Sequence, residues 1–108
     1  DLREAFDIIA PRGDGISDNV RVQYDPASGK CTTVTIDGKP LDDDRLYILS
    51  TIDYLAQGGD YLKSFTRAKH IGESERVLYD DFISYISEGP LKGKKLRPDE
   101  TPRITAAP

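Results

Sequence analysis

The apolar residues at the start of the chain recur at the spacing of an α-helix: they are Leu2, Ala5, Phe6 and Ile9. This pattern predicts an amphipathic helix over residues 2–10, because residues three and four positions apart lie on one helix face. Asp1 and Glu4 have the spacing of a capping box, which favours a helix start at this point. Pro11 and Gly13 then predict the end of the helix.

Two runs of alternating apolar and polar residues follow, over residues 20–24 and 32–36. Alternation with a period of two is typical of strands that bury one face. The residues between the two runs are common turn formers: Asp25, Pro26, Ser28 and Gly29. The runs therefore predict a β-hairpin, and the Asp37-Gly38 dipeptide predicts a second tight turn after it.

Residues 46–52 are rich in Leu, Ile and Tyr with little alternation, which predicts a strand buried on both faces. A second helix is predicted after Ser74, its expected N-cap, because an apolar stripe follows and Gly89-Pro90 ends it. The stripe consists of Val77, Leu78, Phe82, Tyr85 and Ile86. The elements together predict an α+β fold in which two amphipathic helices pack a mixed or mainly antiparallel sheet. We expect a single domain over residues 1–104 and a tail over residues 105–108.

The composition fits one small domain, with 108 residues, 37% hydrophobic, and a formal net charge of -4. No apolar run approaches the roughly 18 residues of a membrane-spanning helix, so we expect no membrane span. The mild acidity argues against a nucleic-acid partner, because phosphate backbones are bound by clustered Lys and Arg on a basic domain. The one basic cluster lies among Gly and Pro and indicates a solvated segment: Lys92, Lys94, Lys95 and Arg97.

The chain has no predicted set of catalytic residues. A two-metal hydrolytic site needs several His and Asp ligands, and His70 is the only histidine. The acidic run at residues 42–44 is interpreted as an exposed turn, because three consecutive carboxylates point in different directions. Cys31 has no evident base beside it, and as the single cysteine it cannot form an intrachain disulfide. We therefore expect no catalytic residue, no metal ligand and no cofactor in this chain.

A ligand site is predicted where the expected buried strand leads into a glycine pair and an acid. Gly58 and Gly59 allow another group to approach the backbone, and Asp60 can accept hydrogen bonds from hydroxyl groups. Tyr54 can stack on a flat group, so a base joined to a ribose would suit this segment. The alternative is purely structural. In that case Tyr54 lies in the core, the glycines form a turn, and Asp60 caps a helix that begins at Tyr61.

Three sequence blocks, at residues 20–26 (VRVQYDP), 34–42 (VTIDGKPLD) and 51–60 (TIDYLAQGGD), occur in an order and spacing that resemble the 5′-nucleotidase C-terminal domain. Tyr47 precedes the third block, and Arg103-Ile104 resembles the closing strand of that domain. The resemblance implies the α+β fold of that domain.

In that family, which includes ecto-5′-nucleotidases and periplasmic UDP-sugar hydrolases, a metallophosphoesterase domain binds two metal ions and the C-terminal domain holds the nucleoside. By motif position, the resemblance implies that Tyr54 is one of two aromatic rings that sandwich the base. It implies that Asp60 contacts the ribose hydroxyls, with Gly58 and Gly59 in the same loop. It also implies a nucleotide or nucleoside ligand, and two divalent metal ions in a catalytic domain in the same polypeptide or a separate chain. A periplasmic or extracellular location follows from the resemblance as well.

The first stacking aromatic of the family and its phosphate-binding arginines lie upstream of the part that resembles residues 1–20. We therefore expect a domain truncated at its N-terminal side, and no hydrolysis by these residues alone. Ile52 stands where the family usually has Asn, and Tyr61 where it has Gly, which predicts a changed loop. Two functions remain open. One is the nucleoside-recognition portion of a metal-dependent nucleotide phosphomonoesterase that acts in nucleotide catabolism. The other is a non-catalytic nucleotide-binding module that acts beside a separate phosphoesterase.

Overall fold

The computed structural model describes all 108 residues. Its helices and strands, in chain order, are α1 (Leu2–Arg12), β1 (Val20–Tyr24), β2 (Cys31–Ile36), β3 (Lys39–Pro40), α2 (Asp53–Ala56), α3 (Leu78–Ser87) and β4 (Ile104–Ala106). Two 3₁₀ turns, Gly59–Tyr61 and Lys63–Arg67, follow α2. The strands form one sheet in the order β3-β2-β1-β4, in which β1 is antiparallel to β2 and parallel to β4. The predicted α+β fold with a mixed sheet is confirmed.

The chain divides into two compact units, which are residues 1–68 with 102–108, and residues 69–101. The first unit contains the sheet, α1, α2 and both 3₁₀ turns, and the second contains α3. The expected closing strand is β4, which extends to Ala106 and pairs with β1 over residues 104–106. Thr105 and Ala106, which we expected to lie in the tail, therefore belong to the sheet. The extent of the domain stays a prediction.

Helix α1 packs on the sheet through its predicted apolar face. The shared core consists of Ala5, Phe6, Ile9, Ala10, Val20, Val22, Val34, Leu41 and Leu62. The helix continues two residues past the predicted end, with Pro11 inside its last turn, and ends at Gly13, whose φ is 69°. The Gly13 N–H donates to the Ala10 carbonyl at 3.1 Å. The Asp14 N–H donates to the Ile9 carbonyl at 3.3 Å, which completes a Schellman motif.

The predicted capping box at the start of α1 does not form, because the Asp1 side chain makes no cap hydrogen bond. Arg67 binds both carboxylates instead. Its Nε donates to Asp1 Oδ1 at 3.0 Å, and its Nη2 donates to Glu4. A planar guanidinium can hold two carboxylates at once, so a tertiary ion pair replaces the local cap. This contact ties the second 3₁₀ turn to the first turn of α1.

The β1–β2 hairpin is confirmed, with Val22 opposite Val34 in the antiparallel pair. Its turn is closed by Asp25, which accepts hydrogen bonds from the Ala27 N–H at 3.0 Å and the Ser28 hydroxyl at 2.8 Å. Because these bonds favour the charged carboxylate, they lower the pKa of Asp25 below its ordinary value, and the Ser28 hydroxyl contributes most. The polar residues that predicted the turn therefore form it.

The prediction of a buried strand over residues 46–52 is wrong. These residues form no strand, and the backbone of residues 46–51 makes no hydrogen bond within the chain. Leu46 is 95% exposed and Ile48 is 86% exposed. A strand buried on both faces needs a hydrogen-bonded neighbour and a covering layer, and here β3 and β4 flank the β1–β2 pair. Tyr47 alone packs partly against the core.

Helix α3 confirms the predicted second helix, although it begins later than expected. Val77 occupies the N-cap position rather than Ser74, whose hydroxyl accepts a hydrogen bond from the Arg76 N–H at 3.1 Å. No residue of α3 is buried, and the apolar side chains at and after its start are exposed: Val77, Leu78, Tyr79, Phe82, Ile83 and Tyr85. None of the helices has the length and apolar character that crossing a membrane requires.

Candidate functional site

The two side chains predicted to bind a nucleoside lie together on the surface of the first unit. Tyr54 is carried by the short helix α2, and its hydroxyl donates a hydrogen bond to Asp60 Oδ1 at 3.2 Å. The Tyr54 side chain is not in the core, since the residue is 56% exposed. Asp60 Oδ2 has no hydrogen-bond partner within the chain. An aromatic ring and a carboxylate with free acceptor capacity are therefore adjacent.

The glycine pair between these residues allows the close approach of the Tyr54 ring. A Cβ atom at Gly59 would lie 2.6 Å from Cε1 and Cζ of Tyr54 and 2.7 Å from its carbonyl oxygen. The ring therefore rests on the Gly59 backbone, and any side chain there would displace it. Gly58 has a φ of 90° and faces Thr66, whose Cγ2 would lie 3.0 Å from an added Cβ. The four predicted residues thus form one compact loop.

Asp60 and Tyr61 both have left-handed backbone conformations, with φ of 53° and 67°. Such conformations are uncommon for residues that carry a Cβ, and two in succession are rarer still. Tyr61 stands where the resembling family has Gly, and it adopts the backbone conformation that Gly favours. Whether this departure changes the loop relative to the family stays a prediction.

Asp60 does not act as a helix cap. The second 3₁₀ turn has Leu62 at its N-cap position and no side-chain cap hydrogen bond, while the Asp60 carboxylate faces Tyr54. The structural alternative is therefore wrong for Asp60, and it is wrong for Tyr54, which is exposed. The glycine pair does form a turn, as that alternative expected. The role of these residues in binding a ligand stays a prediction.

Arg12, which the sequence did not suggest, contacts the same loop. Its Nη1 donates to the Asp60 carbonyl oxygen at 2.7 Å, although the two residues are 48 positions apart. Its Nε donates to Asp14 Oδ2 at 2.9 Å, and its Nη2 donates to the same oxygen. A basic residue in the last turn of a helix is common because it favours the negative end of the helix dipole. No sequence pattern distinguishes Arg12 from that ordinary case.

The remaining reactive or ionisable candidates do not form a second site. Burial is the main cause that raises the pKa of the Cys31 thiol to about 11, and the neighbouring Asp7 adds to it, so the thiol is a poor nucleophile. His70 is exposed, with Nε2 3.8 Å from Glu73 Oε1. Within the acidic run, Asp43 pairs with Arg3, and Asp42 accepts a hydrogen bond from the Asp44 N–H. No three His, Cys, Asp or Glu side chains are placed to hold a metal ion.

The family model described as 5′-nucleotidase, C-terminal domain, matches residues 2–67. The chain belongs to this family. The matched region contains α1, the hairpin and the whole loop from Tyr54 to Asp60, together with Arg12. It ends before the second unit, residues 69–101. No curated protein matches the chain.

Proposed function

We propose that this 5′-nucleotidase C-terminal domain is the nucleoside-recognition portion of a metal-dependent nucleotide phosphomonoesterase that serves nucleotide catabolism. Tyr54 stacks on the base, and Asp60 accepts hydrogen bonds from the two ribose hydroxyls. The observation that carries the proposal is the hydrogen bond from the Tyr54 hydroxyl to the Asp60 carboxylate on one exposed loop. A base and its ribose present a flat face and paired hydroxyls, so an aromatic ring beside a carboxylate suits them.

The hydrogen-bond acceptor capacity of the Asp60 carboxylate supports the ribose assignment. A carboxylate has about four acceptor positions, and the Tyr54 hydroxyl uses one of them on Oδ1. The remaining positions can accept both hydroxyls of a ribose. The same hydrogen bond keeps the Tyr54 ring in place over Gly59, so the stacking surface is formed before a ligand arrives.

The hydrolytic chemistry belongs to a catalytic domain, which this family suggests as the partner of the present domain. Two divalent metal ions on that domain would activate the water that attacks the phosphate. The residues of this chain do not fit such a metal pair, because no suitable group of ligands lies together. We place the protein in the periplasm or outside the cell on the family resemblance.

The proposal is tested by titrating isotope-labelled protein with adenosine and following backbone amide shifts. One stacking contact contributes about 1–3 kcal/mol, and hydrogen bonds to the Asp60 carboxylate contribute about 1.5–3 kcal/mol each, so we expect dissociation constants in the millimolar range. The shifts should centre on Tyr54 and Asp60. The matched ligand is 2′,3′-dideoxyadenosine, which has the same base without the hydroxyls and should bind about tenfold more weakly. Asp60→Asn should reduce that difference, and Tyr54→Ala should weaken both ligands. Equal binding of both nucleosides by the unmodified protein would contradict the ribose assignment.

The alternative is a non-catalytic nucleotide-binding module that acts beside a separate phosphoesterase. Two departures from the family pattern favour it, at Ile52, which is 40% exposed and precedes α2, and at Tyr61. The sequence encoded immediately upstream decides between the two functions. An Asp-x-His segment followed by further His and Asn ligands would support the enzyme, and a different upstream sequence would support the binding module.

A further inference from the structure

The loop of residues 54–61, called the ligand loop below, contains two successive residues in a backbone conformation that their side chains disfavour. Asp60 and Tyr61 have φ values of 53° and 67°, and the peptide that joins them is oriented by the ψ of Asp60 and the φ of Tyr61. A left-handed conformation brings the Cβ atom close to the following carbonyl oxygen, so it is unfavourable for both residues. Such conformations persist where surrounding contacts hold them. The contact that holds this peptide therefore controls the direction of the Asp60 side chain.

Arg12 makes that contact. Its Nη1 donates to the carbonyl oxygen of Asp60, which is the oxygen of the strained peptide, at 2.7 Å. A hydrogen bond from a charged donor is stronger than one between neutral groups. It also has a direction, because rotation of the peptide plane would move the oxygen away from the guanidinium.

The guanidinium of Arg12 is itself held in place. Asp14 Oδ2 accepts hydrogen bonds from Nε and Nη2, which leaves Nη1 directed at the loop. Asp14 is brought beside Arg12 by the Schellman motif at Gly13, where the chain reverses after α1. The last turns of α1 are anchored in the core by Ile9 and Ala10. Arg12 therefore links the packed end of α1 to the exposed loop.

We propose that Arg12 is a positioning residue of the ligand site, which fixes the peptide between Asp60 and Tyr61 and so presents the Asp60 carboxylate to Tyr54 and to a ribose. The part that concerns the ribose rests on the proposed function, whereas the part that concerns the loop does not. Arg12 acts through the backbone, because its hydrogen bond goes to the Asp60 carbonyl oxygen and not to the Asp60 side chain.

The first arm of the test reads the loop without any ligand. Backbone coupling constants and chemical shifts measured by NMR report the sign of φ at residues 60 and 61. We expect Arg12→Gln to remove the positive-φ signature at Tyr61 and to shift the Tyr54 resonances. The matched control is Arg3→Gln, which removes another two-nitrogen ion pair from the same helix, to Asp43, without touching the loop. Positive φ at both residues in Arg12→Gln would overturn the proposal.

The second arm reads the ligand. Arg12→Gln should lower the initial slope of the adenosine titration about tenfold, which is the loss expected for one hydrogen bond from a charged group. Arg12→Lys should restore part of it, because Lys keeps the charge but not the fork that binds Asp14. In the Tyr61→Gly background, where residue 61 needs no support and only Asp60 remains unfavourable, the loss should be smaller. An equal loss in both backgrounds would show that Arg12 does not act through this peptide.

The two arms separate the proposals. If the unmodified protein binds no adenosine, the proposed function fails, and the coupling constants still decide whether Arg12 holds the loop. If adenosine binds and Arg12→Gln binds it as tightly as the unmodified protein does, the proposed function stands and the role of Arg12 is refuted.

Discussion

Replacement of Gly59 by Ala tests how closely the Tyr54 ring packs on the Gly59 backbone. The new Cβ would lie 2.6 Å from two ring atoms of Tyr54 and 2.7 Å from its carbonyl oxygen, whereas ordinary contacts are 3.4–4 Å. The two ring contacts are therefore too short by about 0.8 Å and the carbonyl contact by about 0.7 Å. The Tyr54 ring is exposed and can swing away, but the carbonyl belongs to α2 and moves only with its backbone. Overpacking of this kind costs about 1–3 kcal/mol, so we expect a loss near 2 kcal/mol in the free energy of unfolding.

The measurement is urea unfolding followed by circular dichroism, with Gly15→Ala as the control. Gly15 lies in the same unit, has no atom within 4 Å of an added Cβ and has no positive φ, so its variant should remain within about 0.5 kcal/mol of the parent protein. In a Tyr54→Ala background the ring contacts are absent and only the carbonyl contact remains. The cost of Gly59→Ala should then fall by about half. A stability unchanged by Gly59→Ala, with the Tyr54 resonances in place, would refute the close approach of ring and backbone.

Three further predictions concern stability and reactivity. Ser64→Ala should raise the free energy of unfolding by roughly 1 kcal/mol, because the buried Ser64 hydroxyl has no partner; a loss would contradict this. Val22→Ala should cost about 2 kcal/mol, whereas Ile48→Ala should remain within about 0.5 kcal/mol; equal costs would place residues 46–52 in the core. Cys31, with a native pKa of about 11 against an ordinary 9.0, should react with iodoacetamide at pH 8 up to roughly 100-fold faster after unfolding. An alkylation rate that does not change on unfolding would contradict the raised pKa. Because the thiol ionises at lower pH in the unfolded chain than in the folded one, its contribution to the free energy of unfolding is lost as the pH rises from 9.0 to about 11.

Residue 61 shows a backbone conformation that its own side chain disfavours. Tyr61 stands where the family usually has Gly, and its φ is 67°. A local reading of the sequence predicts a different loop, because a Cβ disfavours that conformation. In the structure Arg12 donates a hydrogen bond to the adjacent carbonyl of Asp60, and we propose that this contact stabilises the conformation. Tyr61→Gly should therefore leave the loop conformation unchanged.

The candidate site was predictable in its membership but not in its geometry. Tyr54, Gly58, Gly59 and Asp60 lie within seven consecutive residues, so a single motif could identify them. The hydrogen bond between Tyr54 and Asp60 and the contact of the ring with Gly59 depend on the turn that the glycines allow. Arg12 was missed because its contact joins residues 48 positions apart through a charged side chain, which leaves no periodic pattern.

The sequence by itself determined α1, the β1–β2 hairpin and α3, and it identified the family. In these elements the apolar period and the turn residues act over a few positions, and neighbouring residues suffice to express them. Only the tertiary structure decided the state of residues 46–52, which have the composition of a buried strand but no partner strand in this chain. It also decided that Arg67 binds the carboxylates of Asp1 and Glu4 in place of a helix cap, and that Arg12 donates a hydrogen bond to the Asp60 carbonyl. Burial and long-range hydrogen bonds depend on which segments are in contact in the folded chain, and the local pattern of apolar and polar residues does not determine those contacts.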